Sequence, residues 1–218
     1  GPVFIDILKN VTAEYAEYEF VPRKEHKKSG MLDALYDRNM ADLHKPSVDE
    51  EDIDKLISMI GESEKPMLIC GGGVVRGRAH KEFNEFVNLM DAPTAITVMG
   101  GGGMEGRNPL ATGMIGMHGS QASNIGVNEC DLLIAVGCRF SDRVALDPES
   151  FASQAKIVHI DIDRAEINKN VKVDVGLVGD IKHSVTRILG GCKKQSHKLW
   201  SKEINERLVE EKNTQAKE

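Results

Sequence analysis

The sequence predicts an α/β fold, a doubly wound parallel sheet of the Rossmann-like kind. Short, predominantly apolar runs such as Pro66–Cys70, Asp131–Val136 and Lys156–Asp161 alternate with segments whose apolar residues recur at helical spacing. Strands that are apolar throughout are covered on both faces, which is the habit of parallel sheets. The runs end in glycines or acidic residues, Gly71–Gly73, Gly137 and Asp161–Asp163 among them. In such sheets ligands gather beyond the carboxyl ends of the strands.

The elements follow in order. Val3–Ile7 reads as a strand, and it begins almost at once after Gly1-Pro2, as if cut from a longer chain. A charged stretch from Thr12 to Ser29 reads as a linker, and residues 31–43 are helix-capable until Pro46 interrupts them. Ser47-Val48-Asp49-Glu50 has the S-x-x-E form of a capping box, and Ile53, Leu56, Ile57 and Ile60 then repeat at helical spacing. Strand Pro66–Cys70 leads through Gly71–Gly73 into a helix with Ala79, Phe83, Phe86, Val87 and Met90 on one face. Thr94–Val98 is the next strand, and Met99–Gly119 reads as a glycine- and methionine-rich loop. A helix over 120–129 precedes strand Asp131–Val136. Lys156–Asp161 is followed by a short helix from Arg164, and Asp174–Val178 by a helix over Ile181–Leu189. The tail from Lys193 to Lys212 reads as a polar helix with Leu199, Trp200, Ile204 and Leu208 as its apolar stripe. We expect three regions: 1–30, an α/β domain over 31–190 whose regular alternation begins near 47, and 191–218.

With 40% hydrophobic and 28% charged residues, the 218-residue chain has the means to build a core. A net charge of −6 argues against nucleic-acid or polybasic membrane roles. No apolar run reaches the ~18 residues of a spanning helix. Cys70, Cys130, Cys138 and Cys192 form no C-x-x-C pair, so neither a metal site nor a disulfide framework is expected, and reduced thiols point to the cytoplasm.

The segments after the strands carry the chemistry. Gly71, Gly72 and Gly73 suit a backbone that approaches a phosphate, or a tight turn with positive φ. The strict G-x-G-x-x-G is absent, because Arg76 holds the third glycine's place. Gly100–Gly103, with Met99, Met104, Met114 and Met117 nearby, reads either as a surface for a flat ring or as a flexible loop. Arg139 and Arg143 at a strand's carboxyl end suit phosphate, or pair with neighbours such as Asp142. Asp161 suits ribose hydroxyls, Asp163 with Glu166 suits a helix cap, and Asp180 suits either role. G-x-S-x-G, P-loop and H-E-x-x-H motifs are missing. Residues and spacing alone thus reach a nucleotide-type site without a catalytic constellation.

Three stretches then resemble a known family: Gly113–Gly119 (GMIGMHG), Asp131–Val144 (DLLIAVGCRFSDRV) and Phe151–Ser153 with Lys156–Asp163 (FAS, KIVHIDID). Together with Gly1-Pro2-Val3 and Val178-Gly179-Asp180, they resemble the large subunit of acetolactate synthase (acetohydroxyacid synthase) in order and spacing. The resemblance implies the end of a thiamine-diphosphate pyrimidine-binding domain in 1–30, the family's central domain in 31–190, and a helical linker toward a pyrophosphate-binding domain in 191–218. It puts the catalytic glutamate upstream of Gly1 and the G-D-G…N motif for Mg2+ and diphosphate beyond Glu218. No catalytic or metal-binding residue is therefore expected in this chain.

In that family the central domain holds FAD, which has no redox part in the net reaction. By position, the implied FAD contacts are Gly71, Gly72, Gly73, Thr97, Val98, Met99, Gly116, Met117, His118, Gly137, Arg139, Asp142, Arg143, Val144, Asp161, Ile162, Gly179 and Asp180. Lys9, Met117, Asp142 and Arg143 would line the substrate channel. Ser141 departs from the family's usual aspartate, and Leu8 from its usual proline. The implied activity condenses two pyruvates, or pyruvate with 2-oxobutyrate, in branched-chain amino-acid synthesis. The whole enzyme would be a homo-oligomer with a possible regulatory subunit. The competing reading is a related thiamine-diphosphate enzyme whose central domain is empty or holds another nucleotide.

Overall fold

The computed structural model describes residues 48–215. Strand Val3–Ile7, Lys9 and the helix expected over 31–43 lie outside them. The first described helix, α1 (Glu50–Glu62), is capped by Asp49, whose carboxylate accepts from the Glu51 N–H at 3.1 Å. The cap is thus Asp49 rather than the expected Ser47. Glu50, Glu51 and Asp52 then sit in the first turn, where the helix dipole favours negative charge.

Among the described residues six strands form one sheet: β1 (Pro66–Cys70), β2 (Thr94–Ile96), β3 (Ala111–Met114), β4 (Leu132–Val136), β5 (Lys156–Asp161) and β6 (Val175–Val178). Their order is β3-β2-β1-β4-β5-β6, and every pairing is parallel. The chain winds outward from β1 in one direction and from β4 in the other, so the sheet has a topological switch point between them.

The helices are α2 (Gly72–Arg76), α3 (His80–Met90), α4 (Gln121–Glu129), α5 (Ile181–Gly191) and α6 (Lys198–Gln215). Side chains alternate across a strand, which divides the core into two layers. Leu68, Cys70, Ile134 and Val136 face α1, α3 and α5, whereas Met67, Ile69, Leu133 and Ala135 face α4 and α6. All five residues of β1 and of β4 are buried, as their unbroken apolar runs require.

Three segments differ from the sequence reading. The loop expected over Met99–Gly119 contains strand β3, an edge strand of four residues. The second strand stops at Ile96 because Thr97 starts a 3-10 turn over Val98–Gly100, its hydroxyl accepting from the Gly100 N–H. The tail helix buries Trp200, Ile204 and Leu208 against the sheet, while Leu199, expected on that stripe, is exposed. Trp200 Nε1 donates to the Pro66 carbonyl at 2.9 Å and so fixes α6 to the start of β1. Among the described residues no helix is long and apolar enough to cross a membrane.

Candidate ligand-binding cleft

The carboxyl ends of β1 and β4 approach one another more closely than side chains permit. A Cβ on Gly71 would stand 2.0 Å from the Gly137 carbonyl oxygen, and one on Gly73 2.7 Å from the Gly137 Cα. Hydrogen bonds close the seam: Gly71 N–H to the Val136 carbonyl at 2.8 Å and Gly73 N–H to the Gly137 carbonyl at 3.0 Å. Gly71 has φ −96°, so close approach explains this glycine, not the positive φ of the tight-turn reading. Gly137 needs both, with φ 60°. The glycines at 100 and 103 likewise press on Cys70, where a Cβ would stand 2.0 Å from its carbonyl oxygen and 2.6 Å from its sulfur.

Beyond this seam opens a cleft of about 990 Å³, at the upper end of the ~300–1,000 Å³ usual for small-molecule sites. Its walls have three characters. Val98 and Met99, just after β2, form an apolar shelf, and Ile162, just after β5, is apolar on the far side; each is unusually bare for its type, at 71%, 63% and 49% exposed. Arg76, Arg78, Arg139 and Arg143 supply cationic forks. Asp161, Asp163, Glu166 and Asp180 supply carboxylates on the β5 and β6 side.

Of the contacts expected from the sequence, Gly72, Gly73, Thr97, Val98, Met99, Gly137, Arg139, Arg143, Val144, Asp161, Ile162 and Asp180 line the cleft. Gly71 lies buried beneath it. Gly179 sits at the strand edge, its N–H donating to the Asp161 carbonyl at 2.9 Å. Gly116, Met117, His118 and Asp142 stand outside the lining. The Met117 N–H donates to the Arg143 carbonyl at 3.0 Å, which puts that segment behind the Arg143 loop. Asp142 pairs with Arg143 at 3.8 Å on the exposed rim.

The lining also contains Arg76, Gly77, Arg78, Ile115, Cys138, Ser141, Asp163, Glu166 and Ile181. The two arginines reach the cleft because α2 lasts only five residues and Arg78 then turns back in a left-handed conformation, φ 51°. The signal for them was in the sequence: a basic R-G-R two residues after a strand-end glycine run. Asp163 caps the 3-10 turn Arg164–Glu166, accepting from the Ala165 N–H at 2.9 Å. Asp180 caps α5, accepting from the His183 N–H at 3.0 Å. Burial pushes the Cys70 and Cys138 thiols up to about 12, so neither supplies a thiolate at neutral pH.

The residues fit a dinucleotide with a flat ring system: arginines for a diphosphate, carboxylates for sugar hydroxyls and the shelf for a ring. Comparison with known proteins agrees with the architecture. Residues 53–188 match the family model for the thiamine pyrophosphate enzyme central domain. The chain is 49% identical over 137 residues to a probable acetolactate synthase large subunit of Methanocaldococcus jannaschii, a match spanning 63% of this chain and 23% of the relative. It is 42% identical over 182 residues to that of Methanococcus aeolicus, spanning 84% and 29%. It is 37% identical over 202 residues to the acetolactate synthase large subunit of Cyanidium caldarium, spanning 91% and 32%. The chain therefore spans about a third or less of the length of these relatives.

Proposed function

The chain belongs to the thiamine pyrophosphate enzyme central-domain family, and on that premise we propose that its cleft binds FAD. The observation that carries this is the three-part lining at the switch point: an apolar shelf, an arginine group and a carboxylate group in one cleft. Arg139 and Arg143 hold the diphosphate. Asp161 takes hydroxyl hydrogens of the sugar half. Val98 and Met99 cover the ring. FAD bound here supplies apolar wall and rigidity rather than electrons to the net reaction.

The whole protein, on this proposal, is an acetolactate synthase large subunit that condenses two pyruvates, or pyruvate with 2-oxobutyrate. Thiamine diphosphate and Mg2+ belong to its other domains. Met117, Asp142 and Arg143, with Lys9, border the route of the 2-oxo acids. A cytoplasmic homo-oligomer, with or without a regulatory subunit, is part of the same proposal.

The test is a flavin-fluorescence titration of the 218-residue chain, with ADP in parallel. Saturable FAD binding that ADP does not match supports the flavin reading. A charge-assisted contact contributes ~1.5–3 kcal/mol, so Arg139→Ala should weaken FAD by about tenfold or more. Equal affinity for ADP and FAD would favour a site for another nucleotide.

A further inference from the structure

His159 on β5 has 0% exposure, and neither ring nitrogen has a hydrogen-bond partner. Bare buried polar atoms are rare in folded proteins, and an aromatic hydrocarbon would fill the same space without their cost. The surroundings suggest what the nitrogens do. Nε2 stands 3.8 Å from Asp161 Oδ2, which lines the cleft. The Cys138 carbonyl faces the ring from the loop after β4, and Glu166 acts on it from the 3-10 turn. Glu166 is itself held by Lys169 at 2.9 Å.

The same ring meets Phe140 edge-on, 4.9 Å between centroids. Phe140 is 2% exposed and adopts φ 47°, a left-handed conformation that is unfavourable for a bulky residue and persists only where its surroundings enforce it. Phe151 contacts Phe140 at 5.7 Å. Between Cys138 and Phe140 lies Arg139, whose carbonyl accepts from Asn170 Nδ2 at 3.2 Å.

We propose that His159 is a positioning residue whose one ring N–H, turned toward the Cys138 carbonyl or toward Asp161, steadies the Cys138–Phe140 turn beside Asp161, so that Arg139 and Asp161 meet a ligand at a fixed separation. A neutral imidazole carries one N–H. Turned toward Asp161 it steadies the carboxylate, turned toward the Cys138 carbonyl it steadies the turn, and in both cases the ring stays packed edge-on against Phe140. The effect on binding rests on the flavin reading of the cleft, whereas the effect on the turn does not.

The experiment compares hydrogen exchange in the full chain without ligand, and FAD titration, for parent, His159→Phe and His159→Gln. The phenylalanine keeps an aromatic ring and removes the nitrogens. Its urea midpoint should equal or exceed the parent's, while the Val144 and Ala145 amides, which donate to the Ser141 carbonyl, exchange about tenfold faster and FAD binds about tenfold more weakly. The glutamine restores a donor near the Nε2 position and should return turn protection toward the parent's even if lost packing lowers its midpoint. Parent-like protection in His159→Phe overturns the proposal, because ring packing alone would then suffice. Should that variant not fold, His159→Leu, which lacks the nitrogens as well, decides. Unchanged protection there overturns the proposal equally. A parent that binds no FAD, with a turn that loosens in the variants, ends the flavin reading and leaves the positioning role standing.

Discussion

The two halves of the sheet's carboxyl edge are built on opposite terms. At β1 and β4 the chain is stripped to backbone, with Gly71, Gly73 and Gly137 in such close approach that no side chain fits. At β5 and β6 the same edge is dressed with carboxylates, Asp161, Asp163, Glu166 and Asp180. The first half shapes the cleft by excluding atoms, the second by placing hydrogen-bond acceptors. Exclusion is intolerant of any addition. Acceptors on caps and turns tolerate an isostere.

The sharpest way to break this contrast is a single methyl at the seam. Gly71→Ala puts a Cβ against backbone, which cannot rotate away as a side-chain end can. We expect a loss on the order of 3–5 kcal/mol, or no folding, read from urea midpoints. Gly61, with nothing within 4 Å of its Cβ position in α1, is the control. Gly61→Ala should be neutral or stabilising by about 0.5–1 kcal/mol.

Acid tests the dressed half. Burial pushes the His159 imidazole below its ordinary 6.5, outweighing the pull of Asp161, the Cys138 carbonyl and Glu166. Below that pH the unfolded chain binds a proton that the folded chain refuses, so stability falls as pH falls from about 6.5 toward the lower folded value. His159→Phe should remove this part of the slope. A parent and variant whose urea midpoints decline in parallel between neutral pH and pH 5 would show that His159 carries no such linkage.

The smallest expected effect is at Asp163. Its carboxylate caps a 3-10 turn, and asparagine caps as well. Asp163→Asn should be nearly silent, whereas Asp163→Ala should cost about 1 kcal/mol by the same measurement. If the asparagine variant were as damaged as the alanine one, charge and not hydrogen bonding would govern that side of the cleft.

How far the sequence could be read follows the same division. β1 and β4 were legible because complete burial leaves an unbroken apolar run, and β5 through its Ile157, Val158 and Ile160. β3 was hidden: Ala-Thr-Gly-Met is short, lies at the sheet edge and follows a glycine-rich stretch. The strand ends located the cleft, but the purpose of Gly71 depended on Gly137, a partner distant in sequence. Arg76 and Arg78 were visible as residues, yet their arrival in the cleft depends on how soon α2 stops and on one left-handed φ. Ser47 was a fair capping candidate, but Asp49 takes that role. No periodicity announced His159, since its bare nitrogens are a property of what surrounds it in space.

The order β3-β2-β1-β4-β5-β6 also governs when the cleft comes into being. Leu68 of β1 pairs with Thr94 on one side and with Ile134 on the other. The first neighbour is soon available to a growing chain, the second only after two more strands and a helix have been made. Long-range parallel pairing closes a large loop before it is repaid, and it is slow for that reason. A nascent chain therefore has an open β1 edge and no seam until Gly137 has left the ribosome. A nucleotide that needs both sides of the seam finds nothing to hold before then. It rewards the completed sheet by mass action and does little to hasten its assembly.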